Sequence, residues 1–214
     1  MSEARGDDYR WLVGPEPVSR AAHPEKGKAL VEGEPVPVAD ALNKIVEKVS
    51  RAKKPVMVVP ARLVLWSWED GLPGRAKAIR ELAAAMGAEI RPIYDLRPPY
   101  PMARTACEIN PYHGDLVIAH EKYDVAVFYG VECLYADVAL KIIDQGTKCY
   151  TIALCGKMGH VDASITLRDT GIDRLHQLAE MFRTATYRCP APPPGPGNPG
   201  PTGCGSTSTV FSCA

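Results

Sequence analysis

Pro55-Val56-Met57-Val58-Val59-Pro60 and Tyr123-Asp124-Val125-Ala126-Val127-Phe128-Tyr129-Gly130 decide the fold of this 214-residue chain. Both are continuous apolar runs, and each is followed by a helix-compatible segment. An apolar run without alternation suits a strand buried on both faces, as in the interior of an open, mainly parallel α/β sheet. Nucleotide-binding sheets place glycines just after such strands, because a phosphate must approach the backbone closely. Here the first run leads into Pro60-Ala61-Arg62-Leu63, and no glycine follows until Gly71. The pattern is that of a nucleotide binder's fold without its first phosphate loop. It favours a subunit that borrows the fold over an independent enzyme.

The neighbouring segments complete the alternation. Val38, Leu42, Ile45, Val46 and Val49 recur at helical spacing, and Pro55 ends that helix. A second helix is predicted over about 73–86, with Ala76, Ile79, Leu82, Ala83 and Met86 as its buried stripe and Gly87 as its stop. Residues 88–94 read as a short strand that Pro92 confines to an edge or a strand end. Residues 95–121 read as a long irregular stretch, functional or covered at an interface. A helix is expected over 135–143, strands over 148–154 and 163–167, and a last helix over 172–184 with Asp169 and Thr170 as candidate caps. Helix–strand alternation of this kind implies right-handed crossovers and helices on both faces of the sheet. Three regions follow: a proline-rich arm over 1–37 with little room for regular structure, one α/β domain over 38–187, and a Pro/Gly-rich, cysteine-containing tail over 188–214.

Lysine plus arginine equals aspartate plus glutamate at 25 each, so the chain has no whole-molecule attraction for nucleic acid or an anionic membrane. No apolar run approaches the roughly 20 residues of a membrane span. The first residues lack a signal-peptide apolar region, and seven cysteines are an odd number for an extracellular disulfide framework. The expectation is a cytoplasmic protein.

Four kinds of chemistry have candidate residues. For a dinucleotide such as FAD or NAD, Gly130 follows one strand, while Gly156, Lys157 and Gly159 follow another. Glycine admits a close approach and Lys157 could meet a phosphate. For a metal, Cys107 with His113 and Cys155 with His160 are within loop reach, yet neither spacing matches a zinc or cluster signature. Cys149 sits in a predicted strand and reads as a small core residue. The tail cysteines Cys189, Cys204 and Cys213 could hold a soft metal or form a redox disulfide. For hydrolysis, Ser164 and His160 are near in sequence, with no nucleophile elbow around the serine. For partner binding, the strongest of the four, Trp66 and Trp68 flank Ser67 beyond the strand, where large aromatics either cap the local core or anchor an interface. Arg91, Arg97 and Arg104, interleaved with Tyr94 and Tyr100, suit a polar interface rim and are too sparse for a nucleic-acid groove.

The order of these pieces carries a resemblance. Trp11-Leu12-Val13-Gly14-Pro15 precedes a helix ending Ser50-Arg51-Ala52-Lys53-Lys54-Pro55, then come the strand 56–59, the segment Lys122–Gly130 and Cys149-Tyr150-Thr151-Ile152-Ala153-Leu154. Over roughly residues 9–183 this resembles the epsilon-subunit family of the archaeal acetyl-CoA decarbonylase/synthase complex, also called the carbon monoxide dehydrogenase beta subunit. The resemblance implies a sheet of the deoxyhypusine-synthase-like NAD/FAD-binding class. It implies a hetero-oligomer with the nickel–iron–sulfur carbon monoxide dehydrogenase catalytic subunit, in the one-carbon metabolism (methanogenesis) of an anaerobic archaeon. The family's subunit is not itself the catalyst; support of the partner, or an influence on electron transfer to a flavin or ferredoxin, is its implied role. Two departures argue against a bound flavin or nicotinamide: Pro60-Ala61-Arg62 at the first bend, and the cysteine tail after Arg188. The alternative expectation is a free-standing FAD- or NAD-binding electron-transfer protein. A split thiamine-diphosphate enzyme shares the sheet class but no acidic metal–diphosphate motif supports it.

Overall fold

The structure, a computed structural model, describes residues 23–63, 72–95 and 108–188. In chain order the strands are β1 (Lys28–Val31), β2 (Glu34–Pro37), β3 (Pro55–Pro60), β4 (Glu89–Ile93), β5 (Val125–Tyr129), β6 (Tyr150–Leu154) and β7 (Ile165–Leu167). The helices are α1 (Val38–Ser50), α2 (Leu72–Met86), α3 (Gly114–Glu121), α4 (Cys133–Gly146) and α5 (Ile172–Arg188), with a 3-10 turn at Pro111–His113. All seven strands form one sheet in the order β2-β1-β7-β6-β5-β3-β4. From β7 to β4 every pairing is parallel, and β1 runs antiparallel to both of its neighbours. The expected open, mainly parallel α/β sheet is therefore present.

The period of two in the inner strands divides the core into two layers. Met57, Val59, Val125, Val127 and Ile152 face α1, α2 and α5, which contribute Leu42, Ile45, Ile79, Leu82, Leu175 and Leu178. Val56, Val58, Ala126, Phe128 and Ala153 face α3 and α4, which contribute Ile118, Leu140 and Ile143. The helices thus cover both faces, as the unbroken apolar runs require. Every residue of β3 and β5 is buried.

The predicted stripe of α2 is buried throughout, those of α1 and α5 are buried except for the half-buried Val38, Val46 and Ile172, and Gly87 at φ +64° ends α2 as expected. Pro92 lies on β4, which is an edge strand; its carbonyl accepts the Ile109 N–H at 2.8 Å. Three expectations need correction. Residues 28–37, read as part of an irregular arm, form a hairpin. Glu32 at φ +53° and Gly33 at φ +86° make its two-residue turn, with positive φ at both central positions. Pro35 and Pro37 fall on β2, the opposite edge of the sheet, where a missing N–H is tolerated. Within the predicted irregular stretch, Asn110 accepts the Tyr112 N–H at 3.0 Å and starts the 3-10 turn that leads into α3. Finally, neither proposed cap serves α5. The Asp169 carboxylate pairs with Arg168 at 2.8 Å, and the buried Thr170 hydroxyl makes no hydrogen bond.

Candidate functional site

Among the parallel strands the order is β4-β3-β5-β6-β7, so the direction of winding reverses between β3 and β5. In doubly wound sheets the crevice outside the strand ends at such a reversal is where ligands bind. Here the chain's own side chains bridge it. Arg62, just beyond β3, donates from Nε to the Asp95 carboxylate beyond β4 at 3.0 Å. Its Nη2 donates to the carbonyl of Gly130, beyond β5, at 3.0 Å. Asp95, 3% exposed, also accepts the Glu132 N–H at 3.2 Å. One guanidinium therefore ties together the carboxyl ends of three adjacent strands.

Gly130 has a role in this bridge. It sits at φ +69°, and a Cβ there would come within 2.9 Å of Leu63 Cδ1. The glycine permits Leu63, fully buried, to pack against the backbone from which Arg62 takes its carbonyl. Asp95, Arg62 and Leu63 thus fill the space around the Gly130 backbone at this reversal.

A second cluster lies one strand further along. Cys155 follows β6 directly and is 6% exposed. Both of its backbone groups are anchored: its N–H donates to Leu167 O at 2.9 Å, and its carbonyl accepts the Thr170 N–H at 2.8 Å. His160, 4% exposed, is held by its N–H to Thr166 Oγ1 at 2.8 Å. Its ring Nδ1 donates to Asp137 Oδ1 at 2.6 Å, which leaves Nε2 to meet the Cys155 sulfur. Cys133 and Asp137 share one face of α4, four residues apart. Cys133, Cys155 and His160 bring their three ligand atoms within 4.8 Å of one another.

The electrostatics follow from that geometry. Burial pushes the Cys155 thiol up, but the His160 hydrogen bond and the N–H groups of Lys157 and Gly159 outweigh it and bring it down to about 7. Burial pushes His160 down, yet Cys155 and Asp137 together raise it above its usual value. Burial, with the neighbouring Cys155 and Glu132 charges, raises the Cys133 thiol. The arrangement favours a thiolate beside an imidazolium, oriented by a carboxylate. It can hold a soft cation or act as a nucleophile.

The structure brings only some of the predicted residues together. Gly130, Gly156, Cys155 and His160 line one small cavity of about 20 Å³, room for a single water. Gly156 and Lys157 are exposed on the loop after β6. Gly159, at φ +92°, fits against Thr166 Oγ1 and Pro24, where a Cβ would lie 3.0 and 3.2 Å away. Cys149 is buried in the core layer beneath α4, as expected of a small apolar residue. Trp66, Trp68, Arg97, Tyr100, Arg104, Cys107, Cys189, Cys204 and Cys213 lie outside the described residues. Sequence reasoning paired Cys155 with His160 but missed Cys133, Asp137 and the inward role of Arg62. The helix expected over 135–143 holds Asp137 but starts two residues after Cys133, so the four-residue step between them was not on the predicted helix.

A doubly wound α/β sheet whose reversal crevice is spanned by an internal ion pair defines a nucleotide-binder-like scaffold. The family described as CO dehydrogenase beta subunit/acetyl-CoA synthase epsilon subunit matches residues 19–182, and the chain belongs to it. No curated protein matches the chain.

Proposed function

We propose that this chain is a non-catalytic accessory subunit that docks on the nickel–iron–sulfur carbon monoxide dehydrogenase subunit and stabilises it within an acetyl-CoA decarbonylase/synthase complex. Family membership supports a subunit associated with that enzyme. The observation that carries the accessory reading is the Arg62 bridge, with Asp95 at 3.0 Å and the Gly130 carbonyl at 3.0 Å. A scaffold that fills its own ligand crevice keeps the rigidity of the sheet and gives up the affinity for pyrophosphate. Electron exchange with ferredoxin, and a place in the one-carbon metabolism of an anaerobic archaeon, belong to the same reading. Docking is tested by co-expressing the full chain with the catalytic subunit and measuring the mass of the eluting species by light scattering. A stable hetero-oligomer is expected. Two species that elute separately at micromolar concentration would remove the reading.

One observation favours a second reading, a free-standing FAD- or NAD-binding electron-transfer protein. Gly130 and Gly156 line the same cavity at the carboxyl ends of β5 and β6. At about 20 Å³ that cavity takes a water and not a phosphate without displacement of side chains. A stoichiometric flavin band in the visible spectrum of the purified chain would favour this alternative.

A further inference from the structure

We propose that Cys133, Cys155 and His160 form a binding site for a single divalent cation of zinc's size and softness, with Asp137 as the carboxylate behind the histidine. The site goes beyond the accessory role and does not depend on it. Three protein ligands with their donor atoms all within 4.8 Å need only a small closure to reach the spacing of about 3.5–3.8 Å that a tetrahedral ion imposes on sulfur and nitrogen donors. Two thiolates and one imidazole select a soft or borderline ion over magnesium or calcium.

Three further features distinguish the cluster from a chance meeting of side chains. First, the histidine's other nitrogen is committed: Nδ1 donates to Asp137 Oδ1 at 2.6 Å. That is the arrangement by which metal-bound histidines fix their tautomer and ring plane. Second, the ligands come from preorganised backbone. Cys155 is anchored through both its N–H and its carbonyl, His160 through its N–H to Thr166, and Cys133 through the first turn of α4, where Glu132 accepts the Leu134 N–H at 2.9 Å. Third, the cavity of about 20 Å³ bordered by Cys155 and His160 has room for one water. Three protein ligands leave the fourth tetrahedral position to a water, the open coordination of reactive rather than purely structural zinc sites.

The probe is cobalt(II), titrated under anaerobic reducing conditions into the full-length chain carrying Cys107→Ser, Cys189→Ser, Cys204→Ser and Cys213→Ser. These changes remove every cysteine outside the cluster except Cys149, which is buried in the core. The expected result is one equivalent bound, with intense visible d–d bands of tetrahedral cobalt and a thiolate charge-transfer band in the ultraviolet. Zinc should bleach both bands by displacement. Cys133→Ser and Cys155→Ser should each reduce the charge-transfer intensity by about half, because each removes one of two thiolates. Asp137→Asn should weaken binding by about 10- to 100-fold while leaving the band positions unchanged, the signature of a positioning group behind a ligand. Circular dichroism shows which variants keep the fold, and Cys133→Ser, at the less buried ligand, carries the test if Cys155→Ser unfolds. A spectrum of octahedral cobalt, a charge-transfer band unaffected by Cys133→Ser in folded protein, or no stoichiometric uptake would overturn the site.

Discussion

Arg62 joins three strand ends through one guanidinium, and its partner Asp95 is almost fully buried. Truncating it removes the cation from a buried carboxylate and leaves the Gly130 carbonyl without that donor. Breaking one side of a buried ion pair costs about 3–5 kcal/mol. Arg62 itself is 24% exposed at its side chain, so Arg62→Ala should fall near the lower end, about 3 kcal/mol by urea denaturation. A loss under about 1 kcal/mol, the worth of a surface pair, would mean the bridge is not structural. Cys149 gives a pH test. Burial raises its thiol from 9.0 to about 12, so the native state keeps a proton that the unfolded chain releases first. The stability contributed is complete below pH 9.0 and is lost as pH rises towards about 12. Denaturant midpoints should therefore fall through the alkaline range, and Cys149→Ala should make that fall shallower; equal slopes in the two proteins would contradict the assignment.

The hairpin and the short helix show where local chemistry outweighed bulk composition. Prolines at 35 and 37 argue against a central strand, and β2 is an edge strand, where they are tolerated. The turn residues Glu32-Gly33 carried the missed signal. A Cβ on Gly33 would meet no atom within 4 Å, so Gly33→Ala tests backbone strain alone. It should cost about 1–2 kcal/mol, the penalty of a left-handed conformation for a residue with a Cβ. Hydrogen exchange should show the loss concentrated in β1 and β2; a neutral substitution would mean that the turn can change type. The inner strands were legible as unbroken apolar runs, and the buried faces of α1, α2 and α5 as apolar residues at helical spacing. The helix α3 was not. It has only eight residues, and its start depends on Asn110 and on Gly114, which lets Ile143 approach to within 3.2 Å of where a Cβ would stand. The absence of a glycine at the 60–62 bend was legible in the sequence, whereas the Arg62 contacts that span the crevice depend on strands brought together from distant sequence. The cysteine–histidine cluster was only half legible for the same reason, since α4 supplies Cys133 and Asp137 from about twenty residues earlier in the chain.

Across the described residues, two layers of helices cover the two faces of a mainly parallel sheet. Its family ties it to carbon monoxide dehydrogenase and acetyl-CoA synthase. In its described residues the crevice that would mark it as a dinucleotide carrier is bridged from within. On the accessory reading proposed above, the sheet is a platform whose surfaces meet a partner. Native mass spectrometry of the full chain, mixed with the carbon monoxide dehydrogenase catalytic subunit in the presence of FAD and NAD, tests this most directly. We expect a hetero-oligomer in which this chain carries no dinucleotide mass. A chain that stays apart from the catalytic subunit and carries one FAD or NAD would contradict it.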